Sequence, residues 1–226
     1  MTDIFSIKEN DKTPKKEIDY QFLGKKYAFT GESINWGSSK KKGKLHRIIA
    51  LKDFGSVKAG NLGGWIETED NLSHSGDCWV ADEAKVFDKA RVTGDARVSC
   101  KALVYGKAHV TEFSSVSDNA CIFDNARILQ CAKVNDYACV SENASILCEA
   151  CISEGACVKG DAIVADSSDI CGYALICGRS YISGNARVFD EAIVTDDACI
   201  LDNAWIGGNV EIAGDTVVSG EDLIIS

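Results

Sequence analysis

Aliphatic residues recur at every sixth position along most of the chain, and this spacing predicts the fold. From Val80 to Ile224, 25 consecutive positions of the series hold Val or Ile, without an exception. The residue two places before each of them is usually small, and it is Ala at 18 of the 25 positions. A period of six is neither the helical repeat of about 3.6 residues nor the simple two-residue alternation of a long strand.

Each unit of six residues has the pattern of a short strand followed by a turn. In the unit 95–100, for example, Ala96 and Val98 alternate with polar neighbours, and turn-forming residues follow such pairs along the series. Three units form one triangular coil of a parallel β-helix, with the β-branched residue inside and the small residue at the corner. The series predicts about eight coils, with a total length of roughly 38 Å.

The residues before the repeats have a different pattern, which divides the chain into three segments. Residues 1–19 are polar and Lys-rich, and we expect them to be flexible. The pattern of residues 20–75 predicts a small antiparallel β cap, and the pattern of residues 76–226 predicts the β-helix. An open solenoid end exposes unpaired backbone groups, so a cap is physically required. The cap is predicted from three strand-like stretches and two turns: Tyr20–Leu23, Gly24–Lys26, Tyr27–Phe29, the basic Gly37–Lys44 and Leu45–Leu51.

The region that leads into the first coil resembles a known family. The resemblance covers about residues 46–80 and is carried by five short runs: Ile48–Leu51, Asp53–Phe54, Val57–Gly60, Gly63–Trp65 and Gly76–Trp79. These runs are similar to those of the YdcK-type hexapeptide-repeat proteins. The resemblance implies a left-handed β-helix and an acyltransferase activity, in which an acyl-CoA donor binds between coils of adjacent subunits and a histidine acts as base.

Charge is distributed unevenly between the two parts of the chain. Residues 1–75 carry 13 basic and 10 acidic side chains, whereas residues 76–226 carry 11 basic and 24 acidic ones. Acidic turns that keep the solenoid solvated explain this difference most simply. An acidic rod that imitates nucleic acid for a basic partner protein is the alternative. Direct nucleic-acid binding by the solenoid is not expected, because like charges repel.

The outward positions of one face are uncharged over six successive coils, because residues 18 apart lie above one another. Phe87, Tyr105 and Phe123 run beside them. Such a strip usually marks an interface, and we expect a homo-oligomer, either trimer or dimer; cover by the N-terminal segment is the alternative. We call the six residues the apolar ladder: Leu103, Cys121, Cys139, Cys157, Leu175 and Ile193.

The other two faces are mixed. On the second face Arg91, His109 and Arg127 form a set that we call the cationic ladder, which could hold an anion or contact acidic turns of a neighbouring subunit. The second face continues with Ser145, Ile163, Tyr181 and Cys199, and the third reads Trp79, Arg97, Ser115, Lys133, Cys151, Asp169, Arg187 and Trp205.

The 11 cysteines follow the repeat, not a disulfide or zinc framework. A flat ladder of thiols does not close a tetrahedron, and the pair Cys148 and Cys151 has no second pair, so we expect no metal site and no cofactor. No apolar run approaches the ~20 residues of a membrane span. Met1–Ile4 does not resemble a secretory signal, and free cysteines suit a reducing compartment, so a cytoplasmic location is expected.

Three functions are compatible with this sequence. The first is a non-catalytic scaffold or binding protein that self-associates through the apolar ladder. The second is a hexapeptide acyltransferase, for which His109 is the candidate base because His46 and His74 lie before the repeats. The third is the acidic mimic or inhibitor of a basic partner protein.

Overall fold

The protein is an all-β solenoid of about nine turns, preceded by an antiparallel β segment. The computed structural model describes residues 24–37 and 42–226. Three predicted features lie outside the described residues: the flexible terminus (1–19), the first strand (20–23) and the centre of the basic turn (38–41). A short 3₁₀ turn, Glu69–Asn71, is the one helical element among the described residues.

The antiparallel segment consists of β1 (Tyr27–Gly37), β2 (Lys42–Ala50) and β3 (Leu62–Ile66). β1 pairs with β2, and β2 pairs with β3, both in antiparallel register. β3 also pairs in parallel with the first solenoid strand of its sheet, Trp65 opposite Lys85 and Ile66 opposite Val86. The antiparallel strands therefore extend one wall of the solenoid at its N-terminal end.

Three parallel sheets form the walls of the solenoid, and the chain passes from one wall to the next every six residues. Wall one contains β3, β5 (Lys85–Val86), β8 (Leu103–Val104), β11 (Cys121–Ile122), β14 (Cys139–Val140), β17 (Cys157–Val158), β20 (Leu175–Ile176), β23 (Ile193–Val194) and β26 (Glu211–Ile212). Wall two contains β6 (Arg91–Val92), β9 (His109–Val110), β12 (Arg127–Ile128), β15 (Ser145–Ile146), β18 (Ile163–Val164), β21 (Tyr181–Ile182), β24 (Cys199–Ile200) and β27 (Val217–Val218). Wall three contains β4 (Trp79–Val80), β7 (Arg97–Val98), β10 (Ser115–Val116), β13 (Lys133–Val134), β16 (Cys151–Ile152), β19 (Asp169–Ile170), β22 (Arg187–Val188), β25 (Trp205–Gly207) and β28 (Leu223–Ile225).

The core lies inside the coil and consists of the repeating aliphatic and small residues. From Val80 to Ile206 every member of the aliphatic series is fully buried. The alanines two places earlier are also fully buried, because the corner leaves room for little more than a methyl group. The sequence prediction of the inward positions is thereby confirmed.

The solenoid has about one turn more than the eight predicted from the series. Ile66 on β3 and Leu72, which forms an isolated bridge with Val92, occupy core positions ahead of the series and are fully buried. They lie six residues apart, but Leu72 and Val80 are separated by eight, so the first turn is out of phase with the rest. A strict six-residue count therefore misses it.

Buried polar contacts attach the N-terminal segment to this first turn. The Lys26 ammonium is 1% exposed and donates hydrogen bonds to the backbone carbonyls of Gly76 (3.1 Å) and Cys78 (2.8 Å). The Tyr27 hydroxyl donates to the Leu72 carbonyl at 2.8 Å, and the Tyr27 ring stacks on His74 with centroids 4.3 Å apart. Burial raises the pKa of Tyr27, so the hydroxyl remains a donor. These contacts satisfy carbonyl groups at the solenoid end.

Candidate functional site

The turns at the corners explain much of the acidity of the solenoid. Every sixth residue from Asp82 to Gly220 has a positive φ, a conformation that Gly, Asn and Asp tolerate best. Nine aspartates and three glutamates occupy these corners, half of the 24 acidic residues of 76–226. Several carboxylates accept a hydrogen bond from the backbone N–H one turn further on, as Asp166 does from Gly184 at 3.1 Å. The acidic residues thus have a structural role, which weakens the argument for a nucleic-acid mimic.

The apolar ladder lies on wall one, in continuous parallel register. Cys121 is opposite Leu103 and Cys139, and Cys157 is opposite Cys139 and Leu175. All six side chains are half-buried and point away from the fully buried aliphatic neighbours on the same strands. Lys85 precedes the ladder in the register and Glu211 follows it. The ladder is therefore an uncharged strip between one cationic and one anionic side chain.

Aromatic side chains border this strip on both edges. On one edge the ring centroids of Phe87 and Tyr105 are 5.1 Å apart and those of Tyr105 and Phe123 are 5.2 Å apart, with interplanar angles of 3° and 5°. On the other edge the exposed Tyr137 and Tyr173 side chains are 73% and 75% accessible to solvent. Neither tyrosine stands out in the sequence, although each directly precedes the core alanine of a wall-one strand.

The described part of the N-terminal segment covers the beginning of the aromatic edge. Trp36 of β1 lies against Phe87 with ring centroids 4.3 Å apart. Ile34 and Trp36 pack against the small cluster that contains Phe87, with Tyr105 at its margin. The alternative of cover by the N-terminal segment is thus supported at Phe87, whereas no aromatic contact joins the described part of that segment to the ladder from Cys121 onward.

Three thiols occupy the centre of the apolar ladder. Burial raises the pKa of Cys121, whose Sγ lies 3.9 Å from the Tyr105 hydroxyl. The neighbouring Cys157 thiol and burial raise the pKa of Cys139, whereas the Cys139 thiol and the Lys159 charge lower the pKa of Cys157 to about 7. The ladder therefore contains no permanently charged side chain, and Cys157 is its most readily ionised thiol.

The cationic ladder lies on wall two, on the same turns as Lys85, Leu103 and Cys121 of wall one. His109 is opposite Arg91 on one side and Arg127 on the other, and all three side chains are exposed. Neither arginine forms an ion pair among the described residues. Partial burial lowers the pKa of His109, and the two arginine charges lower it further. A neutral imidazole between two free guanidinium groups is chemically able to accept a proton and to lie beside an anion.

On wall three, one arginine is paired with an acidic neighbour. The Arg187 guanidinium lies 3.1 Å from the Asp169 carboxylate and packs over the rings of Phe189 and Trp205, 5.4 and 5.8 Å from their centroids. Beyond Ser145 on wall two, Ile163 and Tyr181 are 36% and 38% exposed, without a charge on either. These surfaces present no free charged cluster comparable with the cationic ladder.

The cysteines provide no metal site within residues 24–37 and 42–226. All 11 thiols are free, and no group of three or more His, Cys, Asp or Glu side chains in that part is arranged to hold an ion. The two cysteines of the pair noted in the sequence are separated by the turn: Cys148 occupies a corner with φ 58°, and Cys151 lies on wall three. Within the same residues, no helix has the length and apolar character needed to cross a bilayer.

Comparison with known proteins gives a match to one short segment. No protein-family model matches the chain. Over 45 residues it is 47% identical to a protein of Escherichia coli (strain K12) described as "Uncharacterized acetyltransferase YdcK". The matched residues are 20% of this chain and 14% of that protein, so the chain corresponds to about a seventh of the relative's length. This short similarity and the parallel β-solenoid together are what connect the chain with the YdcK-type proteins.

Proposed function

We propose that the protein is a non-catalytic binding scaffold that associates with copies of itself through the apolar ladder. The observation that carries this proposal is the ladder itself, six successive uncharged outward residues on a solenoid whose residues 76–226 carry 24 acidic and 11 basic side chains. Side-by-side contact of wall-one surfaces would remove these side chains and the exposed Tyr137 and Tyr173 from water. Apolar strips with polar margins are typical of protein interfaces.

The regularity of the coil also supports a binding role. Two-residue strands follow one another every six residues from Trp79 to Trp205, and no projecting segment interrupts them. An active site that excludes water usually requires a lid or a wall beyond the solenoid surface. The described residues contain no such wall, which supports a binding role rather than catalysis within one subunit.

Two glutamates in the ladder test the proposal. The double variant Cys139→Glu with Leu175→Glu should dissociate the oligomer, because a symmetric interface repeats each buried charge in every subunit. The coil should remain folded, since both side chains point outward. Light scattering gives the oligomeric state, and circular dichroism checks the fold.

The matched control is Ser145→Glu with Tyr181→Glu, which places the same charges on wall two at the same spacing of two turns. This control should retain the wild-type mass. A monomeric wild type would contradict the proposal, and so would an oligomer that survives the wall-one variant.

Acyl transfer is the second candidate function. It is favoured by the description of the Escherichia coli relative as an acetyltransferase and by the neutral His109 between Arg91 and Arg127, where the phosphates of an acyl-CoA donor could bind. In this case His109 would accept a proton from the acyl acceptor. We expect no turnover of coenzyme A thioesters by the wild type. A robust wild-type rate that His109→Ala abolishes, with thioester binding retained, would replace the scaffold proposal with this one.

A further inference from the structure

One charged side chain flanks the apolar ladder at each end, and these two charges indicate how a second copy would lie on wall one. We propose that two subunits pack wall one against wall one in antiparallel orientation, related by a twofold axis that passes between Cys139 and Cys157. This inference rests on the proposed self-association and adds the partner's orientation, its register and a dimeric state.

The register of wall one supplies the first step. The parallel pairing runs without interruption from Lys85 through the apolar ladder to Glu211, eight residues on eight consecutive strands. The midpoint of this set lies between Cys139 and Cys157, with four residues on each side. A twofold axis at the midpoint therefore places every member of the set opposite another member.

The charges at the ends supply the second step. The rotation brings Lys85 opposite Glu211 of the partner subunit, and by symmetry a second such pair forms at the other end. Neither side chain has an ion-pair partner among the described residues. In a parallel arrangement Lys85 would face its own copy, and so would Glu211, which places like charges opposite each other at both ends. Charge complementarity thus selects the antiparallel arrangement.

The side chains between the ends are compatible with the same rotation. Leu103 comes opposite Ile193 of the partner subunit, and Cys121 opposite Leu175 of the partner subunit, so that no acidic or basic side chain is buried along the strip. Cys139 comes opposite Cys157 of the partner subunit, and these small side chains at the axis allow the two walls to approach closely. A threefold arrangement has parallel solenoid axes and cannot form these pairs.

The border residues agree with this geometry. An axis in the plane of the contact and perpendicular to the solenoid keeps each edge of wall one next to the same edge of its copy. Tyr137 then lies opposite Gly155 of the partner subunit, a glycine over which the ring of Tyr173 already lies, 2.7 Å from where its Cβ would be. The two most exposed tyrosines would thus be covered together.

Zero-length cross-linking of the wild type tests the orientation directly. A carbodiimide joins an amine to a carboxylate only when they are in contact. Within one chain, Lys85 and Glu211 are seven strand spacings apart, or roughly 34 Å, so an amide bond between them must join two subunits. We expect mass spectrometry to find the Lys85–Glu211 peptide in the dimer and to find no Lys133–Glu211 peptide, because Lys133 lies on wall three.

Charge reversal gives an independent measurement. Lys85→Glu and Glu211→Lys should each weaken dimerisation about tenfold, because each creates two like-charge contacts. The combined variant restores opposite charges and should return to within about twofold of the wild-type dissociation constant. A reversal of Lys133 to Glu is the control and should leave dimerisation unchanged.

The outcomes separate the two proposals. A monomeric wild type would overturn the self-association and this inference with it. A trimer, or a dimer that lacks the Lys85–Glu211 cross-link and shows no recovery in the combined variant, would overturn the antiparallel arrangement alone. The cross-link together with recovery would establish it.

Discussion

Walls one and two belong to the same coils, yet their outer surfaces differ in charge over the first turns. Both walls present fully buried Val or Ile to the core, as Val140 and Ile146 do on successive strands. On its outer surface, wall one carries the leucines, the isoleucine and the thiols of the apolar ladder. The outer surface of wall two begins with Arg91, His109 and Arg127. The core requirement therefore specifies the inward residues of each strand and leaves its outward residue free.

This difference indicates which positions of such a solenoid can form a functional surface. Inward positions tolerate little change, because any larger or polar group overpacks the tube or loses its hydrogen bonds. Outward positions one residue away can change without disturbing the coil, so a surface can be built on one wall independently of its neighbours. The contrast between walls is consequently more informative about function than the repeat itself.

The largest expected effect separates inward from outward residues on wall one. Val140→Asp places an unpaired charge inside the coil, and we expect unfolded or insoluble protein. Cys139→Asp, on the same strand, faces outward and should leave the fold intact. Solubility and circular dichroism measure both. A soluble Val140→Asp variant with a wild-type spectrum would show that the inward and outward positions have been exchanged.

A smaller effect is expected at a corner that joins wall one to wall two. Asp196 has φ 58°, and its carboxylate accepts a hydrogen bond from the Gly214 N–H at 3.1 Å. Asp196→Ala loses this bond and places an alanine in the left-handed region, so unfolding should become easier by about 1–2 kcal/mol. Asp196→Asn retains an acceptor and tolerates the conformation, and it should remain close to wild type in urea denaturation. Equal stability of the two variants would contradict the role assigned to the corner carboxylates.

The smallest effect concerns the charge on wall two. Partial burial and the two neighbouring arginines lower the pKa of His109, so in an NMR titration it should protonate below the ordinary histidine value of about 6.5. Replacing Arg91 and Arg127 by Gln should raise this pKa, while Arg187→Gln on wall three should not. Because the pKa of His109 is lower in the folded state than in the unfolded state, the neutral imidazole contributes to stability above the unfolded-state pKa. This contribution is lost as the pH falls through the folded-state pKa. An unshifted pKa in the double variant would mean that the cationic ladder does not act on His109.

The sequence was sufficient to predict the regular part of the fold. An uninterrupted series of Val and Ile at a single period leaves one arrangement of inward residues, and the pairing of Cys121, Cys139 and Cys157 follows from it directly. The sequence was insufficient where the six-residue spacing of the aliphatic residues is interrupted. Leu72 and Val80 are eight residues apart, so the first turn was assigned to the cap, although Ile66 and Leu72 complete it.

The contacts of the N-terminal segment could not be predicted for a different reason. Lys26 in sequence is an ordinary turn lysine, and only the three-dimensional position of the carbonyls of Gly76 and Cys78 explains its burial. The same applies to Trp36, whose contact with Phe87 depends on the length of β1. Such contacts join residues about 50 positions apart without any periodic signal.

Residue-resolved alkylation of the native thiols is the most direct measurement of the central claim. At high protein concentration the wall-one thiols Cys139 and Cys157 should react with a maleimide more slowly than Cys199, which is half-buried on wall two. Dilution, or the substitution Leu175→Glu, should accelerate Cys139 and Cys157 and leave Cys199 unchanged. If the rates of Cys139 and Cys157 instead stay the same at every concentration and do not respond to Leu175→Glu, wall one is open to solvent and the apolar ladder is not where copies of this protein meet.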